Sequence, residues 1–253
     1  MSVHIRVVTP IIPTGLVQAS DFEGILGDED TVDYTELDVG PEAVESGYDA
    51  VLAGPDTVAK IMAAETDGAD AVVIDCMADP ALFAGRECVK IPVFGPCQMA
   101  MNVAMTLGHN YSVLSISKST HNSFMRRARI YGAAAKYAST RSIGIQVADL
   151  RTQSDLRRER LFAAAKSAIT EDGADTLIIG CTQMYGAAQQ LEKDLFAEGF
   201  DIPVIDPVPM TIKLAKTFVE VGLRHSKYAF PTPARLRSGE RDDPATTALA
   251  STE

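Results

Sequence analysis

The strongest constraint on the fold is an internal repeat, in which a block ending in cysteine occurs twice. Asp67–Cys76 reads DGADAVVIDC, and Asp172–Cys181 reads DGADTLIIGC. Matching blocks also begin each half (VHIRVVTP and YSVLSISK) and close it (IPVFGP and IPVIDP). A DGAD turn before an apolar strand is common and would explain one match. It explains neither the cysteine that ends both strands nor the further matching blocks, so the sequence predicts a duplicated unit.

Apolar runs alternate with helical patterns along the whole repeat. The sequence predicts strands at 3–8, 32–37, 71–75, 91–95, 111–116, 176–180 and 202–206, with a further extended segment at 143–150. It predicts helices at 55–67, 79–88, 97–107, 119–131, 154–171, 184–198 and 208–222. Because buried parallel strands are apolar on both faces, the pattern indicates an α/β fold. We expect two parallel-sheet, flavodoxin-like halves related by a pseudo-two-fold, with the active site between them.

The repeat also predicts the domain boundaries. The first half is expected at 1–108, with part of the helix 208–222 packed on it, and the second half at 109–223. The remaining residues, 224–253, are rich in Pro, Ser, Thr and charge and show no periodicity. We expect this tail to be largely disordered, with Tyr228 and Phe230 docking its first residues onto the body or a neighbouring subunit.

Composition narrows the class of function. A formal net charge of −11 disfavours a nucleic-acid partner, because an acidic surface repels phosphates. No apolar run approaches membrane-spanning length and the N-terminus does not resemble a signal peptide, so we expect a cytoplasmic protein without a membrane partner. The four cysteines and four histidines fit no metal-binding spacing, and we expect neither a metal nor a disulfide framework.

Cys76 and Cys181 are the candidate catalytic residues. Each ends an equivalent parallel strand, and ligands bind at the carboxyl ends of such strands. Two thiols on opposite sides of one carbon acid could exchange roles as base and acid, since a thiol pKa of about 8.5 is readily lowered towards neutrality. We expect helix N-termini to follow both cysteines and to offer backbone N–H groups to an enolate oxygen. The donors would be the amides of Met77, Ala78, Thr182 and Gln183.

The motifs VVIDCMADPAL, LIIGCTQM and IPVIDPVP resemble the aspartate/glutamate racemase superfamily, and its hydantoin and allantoin racemase branch in particular. The resemblance spans roughly residues 3–225. It implies a cofactor-independent isomerase, active as a homo-oligomer on a small-molecule substrate, with Cys76 and Cys181 as its acid and base. The substrate would be a 5-substituted hydantoin, allantoin or an amino acid.

The resemblance also implies which residues line the pocket. They are the four residues that follow the two cysteines, the loop after the first strand and the hydroxyl-rich loop after the fifth strand. Hydantoin racemases read Asn-Pro-Asn in the first of these loops, whereas this chain has Thr9, Pro10 and Ile11. In the second loop this chain keeps hydroxyl residues, among them Ser117.

Other polar residues have a structural interpretation beside a functional one. Cys88 is expected to pack as a small apolar side chain, whereas Cys97 could pack in the same way or line the pocket. Lys118 could bind a substrate carboxylate or be a solvated lysine, and His121 is expected at the surface or at a helix cap. Asp75 should face away from Cys76, because side chains alternate along a strand. Asp206 could hold the mouth of the pocket or cap the following helix.

Three functions remain open on the sequence alone. The first is a racemase or epimerase. The second is another reaction on the same scaffold, resembling a maleate isomerase or, less well because both cysteines are present, an arylmalonate decarboxylase. The third is a non-catalytic protein that binds a small molecule.

Overall fold

The computed structural model of the protein describes residues 2–237. Within the described residues the chain divides into two compact units, one formed by residues 2–95 and 211–237, the other by Pro96–Met210. Each unit contains one four-stranded parallel sheet flanked by helices. The predicted α/β fold with two parallel-sheet halves is therefore confirmed.

The first sheet has the strand order β2-β1-β3-β4. Its strands are β1 His4–Thr9, β2 Thr31–Glu36, β3 Ala71–Ile74 and β4 Val93–Phe94. The helices of this part of the chain are α1 Gly47–Thr66 and α2 Leu82–Cys88. Since β3 is buried at every residue, its uniformly apolar sequence AVVI is what a strand covered on both faces requires.

The second sheet repeats this topology in the order β6-β5-β7-β8. Its strands are β5 Tyr111–Ser115, β6 Tyr137–Ser142, β7 Thr176–Ile179 and β8 Val204–Ile205. The later helices of the chain are α3 Pro96–Leu107, α4 His121–Ile130, α5 Ser154–Thr170, α6 Ala187–Ala197, α7 Pro207–Glu220 and α8 Ala234–Arg237. The repeat in the sequence thus corresponds to a repeat in strand order and strand direction.

Two predicted elements are wrong. The extended segment predicted at 143–150 is not a strand, because the sixth strand is Tyr137–Ser142, whose sequence YASTRS is polar and half-buried. The apolar residues of 143–150 are nevertheless buried, as alternation would suggest, but Gly144 has φ +65° and Val147–Asp149 forms a 3-10 turn. The first helix begins at Gly47 rather than at 55, because Ser46 and Asp49 form a capping box and Pro55 lies inside the helix.

The start of the predicted tail packs on the first unit. Val93 donates its backbone N–H to Nε2 of His225 at 2.9 Å, and Phe230 stacks on Phe83 with ring centroids 6.1 Å apart. Tyr228, predicted to dock beside Phe230, is 98% exposed. Disorder is also predicted for the rest of the tail, but the residues from 238 onward lie outside the part of the chain that the structure describes. Within residues 2–237, no helix combines the length and the apolar character that crossing a bilayer requires.

Candidate active site

Cys76 and Cys181 occupy equivalent positions in the two units. Each follows the third strand of its sheet by two residues and is half-buried at the strand's carboxyl end. In both units the cysteine carbonyl accepts a hydrogen bond from the amide three residues later, with N···O distances of 3.0 Å for Asp79 and 3.1 Å for Met184. The shared hydrogen bond means that the two cysteine loops have the same local fold.

The loops also end in the same way. The residue before α2 is Ala81 with φ 56°, and the residue before α6 is Gly186 with φ 70°, so both helices start from a left-handed residue. Glycine adopts this conformation without strain, whereas alanine incurs a steric penalty. Asp79 and Ala81 are the residues with a side chain and positive φ in the described chain, and both lie in the Cys76 loop. Backbone strain is therefore concentrated beside a candidate catalytic thiol.

The helices after the cysteines start later than predicted, at Leu82 rather than 79 and at Ala187 rather than 184. Each cysteine is separated from α2 or α6 by a loop of irregular backbone, Met77–Ala81 or Thr182–Gly186. The expected helix N-terminal amides are therefore loop amides. One of them has a defined partner, because Ala78 N–H donates to Cys76 Sγ with an N···S distance of 3.4 Å. A hydrogen bond donated to sulfur favours the thiolate.

The other predicted pocket residues differ in exposure. Met77, Thr182 and Gln183 are buried, as are Pro10 and Ile11 after β1. Ser117 is half-buried and accepts a hydrogen bond from Ser119 N at 3.2 Å, which caps a 3-10 turn. Lys118 and His121 are exposed, and Cys97 is completely buried in α3.

A carboxyl group lies against each cysteine loop, and the sequence did not reveal this contact. In the first unit the Asp79 carboxyl packs on Gly95, where a Cβ would lie 2.4 Å from Asp79 Cγ. In the second unit Asp206, which follows β8, accepts a hydrogen bond from Gly186 N at 3.2 Å. Aligning the repeats would have placed Gly95 opposite Asp206 and Ala81 opposite Gly186, which was the signal available in the sequence.

Two carboxyl groups at the carboxyl ends of the sheets have a raised pKa. Burial raises the pKa of Asp206 to about 6, against the opposing effect of hydrogen bonds from the backbone of Gly186 and Val208. Burial also raises the pKa of Glu36, the last residue of β2. Asp75, directly before Cys76, is buried and accepts a hydrogen bond from Thr9 Oγ1 at 3.3 Å, so it faces the interior as strand alternation predicted.

A cavity of about 260 Å³ lies beside the Cys181 loop in the second unit. Tyr185 and Gly186 line it from the loop, and Arg157 and Leu161 line it from α5. Burial lowers the pKa of Arg157, assisted by the nearby charge of Arg151, whose guanidinium lies 5.8 Å from the centre of the Tyr185 ring. Among residues 2–237, no three His, Cys, Asp or Glu side chains form a group that could hold a metal ion.

Comparison with known proteins gives the family. The sequence profile of the Asp/Glu/hydantoin racemases matches residues 19–215. The chain belongs to the Asp/Glu/hydantoin racemase family. It is accordingly an isomerase of the racemase type, as the resemblance of its cysteine motifs implied.

Individual relatives support this family membership. The chain is 34% identical over 194 residues to a hydantoin racemase of Rhizobium meliloti, covering 76% of this chain and 78% of that protein. Its structure is similar to an allantoin racemase from Klebsiella pneumoniae, with a TM-score of 0.85, 27% identity and coverage of 92% and 94% of the two chains. Unliganded arylmalonate decarboxylase, at 18% identity and a TM-score of 0.61 over 90% of this chain and 99% of that one, shares the fold.

Proposed function

We propose that this racemase inverts a small carbon acid by proton transfer between Cys76 and Cys181, without a cofactor. One observation carries the proposal, namely the pair of half-buried thiols at equivalent loop positions of two duplicated units. A chain that had kept one thiol for packing would have no reason to repeat it at the same place in the other unit. The proposal requires both sulfur atoms to reach the same substrate carbon from opposite faces.

In this mechanism the thiolate of one cysteine removes the α-proton and the thiol of the other delivers a proton to the opposite face. The mirror-image substrate reverses the two roles, so one thiol and one thiolate must coexist in the resting enzyme. The hydrogen bond from Ala78 N–H to Cys76 Sγ assists by stabilising negative charge on that sulfur.

The negative charge that develops on the substrate oxygen needs donors. We infer that they are the backbone amides of Met77, Thr182 and Gln183, together with the Thr182 hydroxyl, because the Ala78 amide predicted beside them already donates to Cys76 Sγ. The loops that carry them are held by hydrogen bonds, so these donors are already oriented before the substrate binds. Pro10, Ile11 and Ser117 would shape the remaining wall of the pocket.

The relatives support a substrate class for this proposal. A 5-substituted hydantoin or allantoin is favoured, because a hydantoin racemase and an allantoin racemase are both similar to this chain over most of its length. An amino acid is the third candidate. A cytoplasmic location and a homo-oligomeric state remain predictions from the sequence.

The test is racemisation in deuterated water with enantiopure 5-substituted hydantoins, allantoin and amino acids, followed by polarimetry and proton NMR. We expect optical rotation to decay while the α-hydrogen is replaced by deuterium. Cys76→Ser and Cys181→Ser should each abolish inversion, and each should still exchange the α-hydrogen of one enantiomer. Cys88→Ser is the matched control and should racemise normally.

Three results would contradict the proposal. Normal racemisation by either of the first two variants would exclude two-base catalysis by these cysteines. Release of carbon dioxide from an arylmalonate, or conversion of maleate to fumarate, would instead identify one of the other reactions of this scaffold. Binding of the substrates without exchange or inversion would indicate a non-catalytic protein.

A further inference from the structure

Asp206 makes two backbone contacts that join the Cys181 loop to the start of α7. Its Oδ2 accepts a hydrogen bond from Gly186 N at 3.2 Å, and its carboxyl also accepts from the backbone of Val208. Gly186 is the last residue of the loop that begins at Cys181, and Val208 is in the first turn of α7. One carboxyl group therefore connects the end of the Cys181 loop to the first turn of α7.

The first unit has a similar contact, but there the carboxyl group comes from the cysteine loop and the glycine follows the fourth strand. There the carboxyl belongs to the loop, as Asp79, and the residue after the fourth strand is Gly95, whose missing side chain leaves room for it. In the second unit the loop position opposite Asp79 is Met184, and the residue after the fourth strand supplies the carboxyl. Both units therefore keep a carboxyl group between the cysteine loop and the end of the neighbouring strand, although it comes from opposite partners.

A carboxyl at this place is unfavourable for folding, because desolvation opposes its ionisation. A helix cap alone would not require it, since Ser, Thr or Asn caps a helix as well without carrying a charge. The charge strengthens the hydrogen bonds that Asp206 accepts from the two backbone amides. The combination of a destabilising group and a rigid double contact points to a role beyond capping.

We propose that Asp206 is a positioning residue, which fixes the loop Cys181–Gly186 so that the Cys181 thiol and the amides of Thr182 and Gln183 keep their reactive orientation. The proposal rests on the proposed function of Cys181 and deepens it. The neighbouring charges do not compete for this contact, because the first turn of α7, Pro207–Met210, contains no ionisable side chain. The titratable or charged groups near the loop include Cys181, Tyr185 and Arg151, which lies against the Tyr185 ring, and, around the adjoining cavity, Asp155, Arg157 and Arg158.

The first test isolates Cys181 by working in the Cys76→Ser background, where it alone can exchange the α-hydrogen of one enantiomer. Adding Asp206→Ala should lower kcat for this exchange by about 10–100-fold with KM changed less than about 3-fold, because a misplaced catalytic group loses orientation rather than binding. Asp206→Asn keeps one acceptor oxygen and should recover part of the loss. Asp201→Asn, at an exposed carboxyl before β8, is the matched control and should leave kcat unchanged.

The second test needs no substrate turnover. Alkylation of each cysteine by iodoacetamide is followed by mass spectrometry between pH 5 and pH 9, in the otherwise wild-type protein and in Asp206→Ala and Asp206→Asn. We expect the pH profile of Cys181 to shift in both variants while that of Cys76 stays unchanged. A structural defect alone would change both cysteines together.

The outcomes separate this proposal from the proposed function. If Cys76→Ser shows no exchange at all, the two-base mechanism fails, and alkylation still decides whether Asp206 controls Cys181. Unchanged alkylation of Cys181 in Asp206→Ala would overturn the positioning role even if racemisation fell. Equal changes at Cys76 and Cys181 would likewise overturn it, because they would show a general loss of structure.

Discussion

Replacing Asp206 by Asn should stabilise the protein at neutral pH while it weakens catalysis. The side chains have nearly the same shape, so the main change is removal of a charge that burial disfavours. The amide oxygen of Asn can still accept the hydrogen bond from Gly186 N. The variant therefore separates the electrostatic cost of the carboxylate from the geometry of the contact.

The sign and size follow from the pKa of Asp206, which burial raises from 3.8 to about 6. A carboxyl whose pKa is raised by folding binds its proton more tightly in the native state. Its contribution to stability is therefore fully present below about pH 4 and is lost as the pH rises through 6. The loss is about 3 kcal/mol by pH 8, because each tenfold difference in proton affinity between the folded and unfolded states corresponds to about 1.4 kcal/mol. Asn cannot ionise, so Asp206→Asn avoids this loss.

The assay is urea unfolding of the wild type and of Asp206→Asn at pH 4.5 and at pH 8. Taking the difference between the proteins at each pH cancels the titration of all other groups. Because about 1 kcal/mol is already lost at pH 4.5, we expect the variant to gain about 2 kcal/mol relative to the wild type between the two pH values. A gain below about 0.5 kcal/mol, or a loss, would refute the view that a buried, destabilised carboxylate is retained here.

Three further predictions concern the fold around the cysteines and the C-terminal segment. Gly180→Ala should lower the free energy of unfolding by about 1–3 kcal/mol in chemical denaturation, because the new Cβ would lie 2.7 Å from a backbone carbonyl oxygen of β5. The control is Gly54→Ala on α1, where a Cβ would have nothing within 4 Å, and it should be neutral or stabilising. Ala81→Gly should stabilise by about 0.5–1 kcal/mol by matching the glycine at 186, and a loss of stability would show that the left-handed residue is not strained. Burial lowers the pKa of His225 to about 4, so the folded protein binds this proton less tightly than the unfolded chain and loses stability as the pH falls. Denaturant unfolding at pH 4 and pH 7 should therefore show a larger loss of stability on acidification for the wild type than for His225→Gln.

The repeat made most of the fold predictable. Strands such as AVVI and TLII, which are apolar except for Thr176, are typical of a sheet covered on both faces. A duplicated order of such strands predicts a duplicated topology. The sixth strand was missed because YASTRS lies at an edge of its sheet, and an edge strand needs fewer apolar residues than a central one. Pairing with β5 selects it over the more apolar segment that follows.

The candidate site could be predicted to the level of two loops. Cys76 and Cys181 are candidates because they lie at equivalent strand ends, both in the sequence repeat and in the two sheets. The contacts of Asp79 and Asp206 do not follow from the local sequence, because each joins a cysteine loop to the residue after a later strand. The Asp79 contact needs the missing side chain of Gly95, whereas Asp206 binds the backbone N–H of Gly186. The alignment of the two repeats places Gly95 opposite Asp206, but it does not show which backbone group the carboxyl of Asp206 contacts.

The two loops show how a duplicated unit can diverge without losing its geometry. Both keep the same turn after the cysteine and the same left-handed residue before the helix, although the Cys76 loop meets the second demand with alanine and the Cys181 loop with glycine. Both also keep a carboxyl group against the next strand end, although it has moved from the loop to the strand. The two units have the same loop backbone, but different side chains hold it in place. What the two units share is therefore the position of the cysteine in its loop. An enzyme that moves a proton between two such groups requires equal placement of both thiols, and it leaves each unit free to reach that placement by different residues.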